Sequence, residues 1–244
     1  MGIDRSKDFA DSDALCRAMK AEAGPRVALA FSRGKDAIAT WIQLKRHGFE
    51  VFPYYRVVLP GYLRIERESL AYFEQVLGTK IHRFLSPQTI KLFNASIFQP
   101  PRHAKEAVTF PEWTSDEQAA ALLRENGWDG DTWETIGIRA SDNLVRSTTI
   151  KRHGPINRKR KTWFPIYDWS NDRTFTEVRD SGIKLPPDYH LWGRSLDGFH
   201  HRFIAELCKD YPDDLERIRA VFPLIDVEFW RLEFRDRFWR KHGD

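Results

Sequence analysis

The sequence predicts an α/β protein, a doubly wound parallel sheet with a helical C-terminal part. Two observations carry this. Between residues 27 and 85, short apolar runs alternate with amphipathic helical stretches in the order β-α-β-α-β, the pattern of a parallel sheet covered by helices. The composition, 41% apolar and 30% charged over 244 residues, is that of a folded chain with enough apolar material for a sizeable core.

The elements follow in order. Residues 6–23 read as a helix with Leu15, Ala18 and Met19 on one side, ended by Gly24 and Pro25. The apolar run 27–31 is too short for a helix and reads as a buried strand. Residues 38–46 place Ile38, Trp41 and Ile42 at helical spacing, and Gly48 closes them. Residues 51–59, rich in Val, Tyr and Phe, read as a second strand ending at Pro60-Gly61. Residues 64–77 gather Ile65, Tyr72, Phe73, Val76 and Leu77 on one face, and 80–85 form a third strand. Residues 98–113 are irregular, and Ser115-Asp-Glu-Gln118 is a capping box opening a helix to Asn126. Strands are expected at 135–138 and 162–166, and a short helix before Gly182. Further helices are expected near 198–210, 213–221 and 224–241.

Composition excludes several classes. No run approaches 18 apolar residues, so no membrane span is expected. Two cysteines, Cys16 and Cys208, cannot build a disulfide framework or a four-thiolate iron–sulfur centre. The opening residues hold no apolar secretory core, and a cytoplasmic location is the default expectation. The net charge is +4, yet residues 139–161 carry eight Lys or Arg against Asp142 alone. Such a basic focus suits an anionic ligand or polymer.

The most informative segment is Ser32-Arg33-Gly34-Lys35-Asp36-Ala37, between the first strand and the following helix. A sharp strand-to-helix turn aims backbone N–H groups and a helix N-terminus at one point, a ready anion site. Gly34 lets the backbone approach closely, Lys35 adds charge and Ser32 a hydroxyl. Asp36 can favour the helix dipole or help hold a Mg²⁺ ion that accompanies phosphates. The spacing is neither that of a Walker loop nor that of a dinucleotide fingerprint.

The loop resembles the PP-loop, S-x-G-K-D-S, of the adenine nucleotide α-hydrolase superfamily of ATP pyrophosphatases, ATP sulfurylase small subunits and phosphoadenosine phosphosulfate (PAPS) reductases. Ala37 stands where that pattern ends in Ser. Gly137-Ile-Arg139, followed by Arg146, is similar to the family's G-x-R segment. Trp163-Phe-Pro-Ile-Tyr-Asp-Trp169 resembles the PAPS-reductase P-[IL]-x-D-W segment, and Leu185-Pro-Pro-Asp-Tyr189 continues the likeness. The resemblance spans roughly residues 25–200.

It implies a nucleotide-binding α/β domain over residues 1–200, with residues 201–244 as a helical extension packed on it. It implies ATP, or PAPS, as ligand, with Mg²⁺; some relatives hold an iron–sulfur cluster, but with two cysteines none is expected here. Ser32, Arg33, Gly34, Lys35, Asp36, Ala37, Gly137, Arg139 and Arg146 would bind the nucleotide. Lys35, Asp36 and Arg139 would serve the chemistry, and Asp36 the metal. The adenine is expected near Tyr55, Arg56 or Val57. Asp168 and Trp169 read as a cap and a core ring.

The sequence also departs from the reductases, which use a cysteine near the C-terminus. No cysteine follows Cys208, which sits at i+4 from Ile204 as a small buried hydrophobe would. Ser195 lies where many members have thiols. The adjacent His200 and His201 point about 100° apart on a helix and cannot chelate as a pair.

Three readings follow: an ATP pyrophosphatase-like enzyme that adenylylates an acceptor, a sulfonucleotide reductase, and a non-enzymatic nucleic-acid-binding or regulatory protein on the same fold. For the last, Lys151, Arg152, Arg158, Lys159, Arg160 and Lys161 are the candidate phosphate contacts, expected on a loop between two strands. The run from Phe229 to Arg240 interleaves aromatics and arginines. It suits base stacking, or equally an amphipathic helix burying Phe229, Leu232 and Trp239.

Overall fold

The computed structural model describes residues 4–105, 109–195, 198–199 and 201–242. The chain divides into two compact units. The first comprises residues 1–55, 73–84 and 116–185, the second residues 56–72, 85–115 and 186–244.

The first unit is built on the sheet. A 3₁₀ turn, Arg5–Lys7, precedes helix α1, Ser12–Ala23, whose start is capped by the Asp11 carboxylate. The single helix expected over 6–23 is therefore shortened, because Asp11 takes the cap position and extended backbone. Strand β1, Arg26–Ala30, leads into α2, Lys35–Arg46, and β2, Glu50–Val57. Helix α3 is Arg64–Leu77 and β3 is His82–Leu85. After α4, Pro87–Asn94, α5, Pro101–Lys105, and α6, Ser115–Glu125, comes the two-residue β4, Glu134–Thr135. Helix α7, Leu144–His153, is followed by β5, Ile156–Asn157, β6, Thr162–Trp163, and α8, Asn171–Asp180.

The six strands form one sheet in the order β3-β2-β1-β4-β6-β5. β1 pairs in parallel with β2 on one side and β4 on the other, and β4 with β6. The chain thus winds outward from β1 in one direction and later from β4 in the other, the doubly wound arrangement that the sequence predicted. Its topological switch point lies between β1 and β4, where ligands of such sheets bind at the carboxyl ends. Strand β5 runs antiparallel to β6. β1 is buried because apolar residues face both layers: Val27, Ala28 and Leu29 are essentially inaccessible. On one face Ala28, Ala30, Phe52 and Tyr54 pack with Ala119 and Leu123 of α6.

Trp163 and Trp169 are both fully buried. The Asp168 carboxylate accepts the amide and the hydroxyl of Ser12, anchoring the start of α1. The expected cap-and-core role of Asp168 and Trp169 is thus observed.

The second unit gathers the N-terminal part of α3 with α4, α5, α9 (Asp188–Trp192), α10 (His201–Asp210), α11 (Pro212–Val221) and α12 (Val227–His242). Its core is Leu59, Leu63 and Ile65 with Phe203, Ile204, Leu207, Leu215, Ile218, Phe222 and Ile225. Buried Asp214 accepts the amides of Arg64 and Ile65, satisfying two donors at the start of α3. On α12, Phe229 packs against this core, while Trp230 and Phe234 are exposed. The side chains of Leu232 and Trp239 lie outside the described residues. Among those residues, no helix is long and apolar enough to cross a membrane.

Two further differences concern local elements. α4, α5 and α9 were not expected, and Pro87 and Pro101 sit where proline is tolerated, in the first turn of a helix. The basic stretch is not one loop. Lys151 and Arg152 end α7, which Gly154 stops at φ 78°, and Arg158–Lys161 form the turn of the β5–β6 hairpin.

Candidate functional site

All residues of the site belong to the first unit. The loop after β1 and the loop after β4 leave adjacent strands, one on each side of the switch point. Both therefore emerge at the same edge of the sheet.

The β1–α2 turn needs an unusual backbone. Arg33 adopts φ 66°, a left-handed conformation that costs a non-glycine residue about 1–3 kcal/mol. Its side chain is fully buried, with the guanidinium 5.2 Å from the Tyr55 ring centroid. Gly34 is the N-cap of α2. Its carbonyl accepts the amides of Ala37 and Ile38 at 3.0 and 3.1 Å, and no side chain caps the helix. The dipole end of a twelve-residue helix thus meets no protein carboxylate or hydroxyl as a cap. Ser32 is exposed beside it, and Ala37 is buried in the core.

Lys35 and Asp36 occupy the first turn. Lys35 Nζ donates to Asp36 Oδ1 and Oδ2 at 2.8 and 2.9 Å and stands 5.6 Å from the Phe175 ring centroid. Gly137 lies against the backbone of the same turn. A Cβ on it would stand 2.7 Å from the Asp36 carbonyl oxygen and 3.0 Å from Thr40 Oγ1. Arg139, 3% exposed, brings Nε to 3.0 Å from Asp36 Oδ1.

The guanidinium of Arg139 also donates to Thr174 Oγ1 at 2.9 Å and to Asp142 Oδ1 at 2.7 Å. Asn171 Oδ1 is 3.5 Å away. Asp142 in turn pairs with Arg146 and accepts the Arg139 amide at 3.1 Å. Burial would raise the Asp142 carboxyl, but the Arg139 amide and the two guanidinium groups outweigh it and hold it below the ordinary value. The result is a ladder of alternating charge: Lys35, Asp36, Arg139, Asp142, Arg146. The segment is tethered from behind, where Ala140 donates to the Tyr167 carbonyl at 2.8 Å and Ser141 to that of Trp169 at 2.8 Å.

The structure therefore brings Gly34, Lys35, Asp36, Gly137, Arg139 and, through Asp142, Arg146 together. Asp142 escaped the sequence reading although it stands three residues after Arg139 and four before Arg146. That charge spacing was the available signal. Thr174 and Asn171 carried no such signal.

The remaining cations stand differently. Arg158 makes a two-pronged pair with Glu22, each prong 2.9 Å. Arg160 does so with Asp116, and Lys161 pairs with Asp131. Lys151, Arg152 and Lys159 are exposed. The surplus counted along the sequence is thus largely met by acids distant in sequence. Cys16 is fully buried, and that burial pushes its thiol up to about 12, so it is no nucleophile. His200 and the side chains of His201 and Cys208 lie outside the described residues.

The donor set fits a polyphosphate: an uncapped helix start, an ammonium and an exposed guanidinium. Among the described residues no three His, Cys, Asp or Glu side chains cluster to hold a metal. A Mg²⁺ ion here would draw its ligands from phosphates and water, with Asp36 as the nearby carboxylate, the usual habit of that ion.

No family model and no curated protein matches this chain. Among solved structures, an NH3-dependent NAD synthetase from Campylobacter jejuni subsp. jejuni NCTC 11168, in complex with the nitrate ion, aligns at 13% identity. The alignment covers 92% of this chain and 94% of that chain, with a TM-score of 0.43.

Proposed function

We propose that this chain binds an adenine nucleotide through the β1–α2 loop. The proposed reaction is chemistry at the α-phosphate, of the kind performed by PP-loop ATP pyrophosphatases. The observation that carries this is the convergence of Gly137 and Arg139 on the first turn of α2, at the switch point of a doubly wound sheet. The resemblance of both segments to the PP-loop and G-x-R motifs supplies the nucleotide class.

In this reading the amides of the first turn and Lys35 bind the phosphates, with Arg146 within the same charge ladder. An oxygen of the acceptor attacks the α-phosphorus, the bond to the β-phosphate oxygen breaks, and pyrophosphate leaves with the electron pair. The residues assist electrostatically, by fixed positive charge on the oxygens where negative charge grows. Mg²⁺, carried by the phosphates, adds charge neutralisation.

Incubation with ATP labelled at the α-phosphate and Mg²⁺ tests the reaction. The expected products are AMP or an AMP adduct with pyrophosphate. Formation of ADP and phosphate alone would sink the α-phosphate assignment.

A further inference from the structure

Arg139 and Arg146 stand on one segment in opposite surroundings. Arg139 is buried: Nη1 donates to Thr174 and Nη2 to Asp142 and Asn171, while Nε stands 3.0 Å from Asp36 Oδ1 as an ion pair without hydrogen-bond geometry. A phosphate could reach it only by displacing one of these partners, and displacing Asp36 or Asp142 gives up a charge-assisted contact in a shielded site. The Arg146 side chain is 45% exposed and pairs with Asp142. If Arg146 turns to a phosphate, Asp142 keeps Arg139. The same holds for Lys35: when it turns away, Asp36 keeps Arg139.

We propose that Arg139 is a positioning residue that acts on a bound polyphosphate through Asp36. It holds and neutralises that carboxylate while Lys35 exchanges onto the phosphates, and Arg146 is the arginine that makes phosphate contact. This assignment rests on the phosphate-loop reading above.

A double-mutant cycle tests it, with ATP affinity measured by calorimetry in EDTA. Arg139→Gln leaves Asp36 as an uncompensated negative charge beside the phosphates, and affinity is expected to fall about tenfold or more. In an Asp36→Asn background the same substitution should change affinity by less than about twofold, because the group through which Arg139 acts is gone. Arg146→Gln should lower affinity about five- to tenfold in both backgrounds. Thr174→Val removes one anchor of the guanidinium without changing charge. It should reproduce the background dependence of Arg139→Gln at smaller amplitude, and it decides the matter if Arg139→Gln does not fold.

A loss in both backgrounds on removing or loosening Arg139 overturns the assignment, whether its cause is direct phosphate contact or general damage. An unchanged affinity in Arg146→Gln overturns the second half. Absence of ATP binding by folded wild-type protein overturns the phosphate-loop reading itself, and is distinguishable because no variant is needed to see it.

Discussion

Gly137 approaches the first turn of α2 so closely that a Cβ would stand 2.7 Å from the carbonyl oxygen of Asp36. The neighbour is backbone, with no flexible end to swing aside. Gly137→Ala must therefore push the β4 loop away from α2 and carry Arg139 with it. We expect a stability loss of about 1–3 kcal/mol and a fall in melting temperature of roughly 3–10 °C. ATP is expected to raise the melting temperature of the wild type and not that of the variant. A variant as stable as wild type with full ATP stabilisation would show that the close approach is not needed.

Lys35 pairs with both oxygens of Asp36, at 14% side-chain exposure. Lys35→Ala removes a cation from the proposed phosphate site and leaves Asp36 to Arg139. We expect ATP binding to weaken by about 1.5–3 kcal/mol, the range for a charge-assisted hydrogen bond. Calorimetry with ATP reads this directly. An unchanged dissociation constant would remove Lys35 from the site.

The parts of this architecture legible in sequence were those with a local cause. The apolar run before Ser32 and the helical spacing after Lys35 set β1, α2 and the turn between them. The motif Gly137-Ile-Arg139 could be read as a site, but not its geometry. The Asp36–Arg139 pair spans the gap between two strands that are neighbours in the sheet and over a hundred residues apart in the chain. Strand β4 is only Glu134–Thr135, and two residues on, Gly137 lies against the first turn of α2. The strand expected at 135–138 is there, but its two-residue extent was not legible. The basic stretch misled for a related reason: Glu22, Asp116 and Asp131, which meet Arg158, Arg160 and Lys161, are remote in sequence.

Arg158, Lys159 and Arg160 offer a direct comparison between surface pairing and polyanion contact. With Arg158 and Arg160 held by Glu22 and Asp116, three exposed cations, Lys151, Arg152 and Lys159, have no ion-pair partner among the described residues. Any nucleic-acid binding should then show a log–log salt slope no steeper than about −3, at 0.7–0.9 per phosphate. Reversing 158–160 to Glu should leave ATP binding unchanged. A slope near −5 or steeper in wild type would mean that the paired arginines exchange their acids for phosphates, and would favour the nucleic-acid reading.

Cys16 lies in α1 with its thiol fully buried, and burial pushes it up to about 12. The Gln43 side-chain amide, 3.7 Å from Sγ, offsets this only in part. In the unfolded chain the same thiol titrates near 8.5. Below that pH both states hold the proton and stability does not depend on it. As pH rises above it, the unfolded chain loses the proton and the folded chain keeps it, so stability falls. The slope approaches about 1.4 kcal/mol per pH unit until the folded value is reached. Tyr167 is also pushed up to about 12, from an ordinary value near 10, and adds to the loss only above that. The window from pH 8.5 to 10 therefore isolates the thiol. Denaturant unfolding of wild type and Cys16→Ala across that window should give converging stabilities, the variant losing about 1–2 kcal/mol less than wild type. In native protein, Cys16 should resist iodoacetamide at pH 8 and become alkylated in denaturant, as read by peptide mass spectrometry. Rapid alkylation of Cys16 in the folded state, or parallel pH profiles for the two proteins, would mean that α1 opens far more readily than its packing implies.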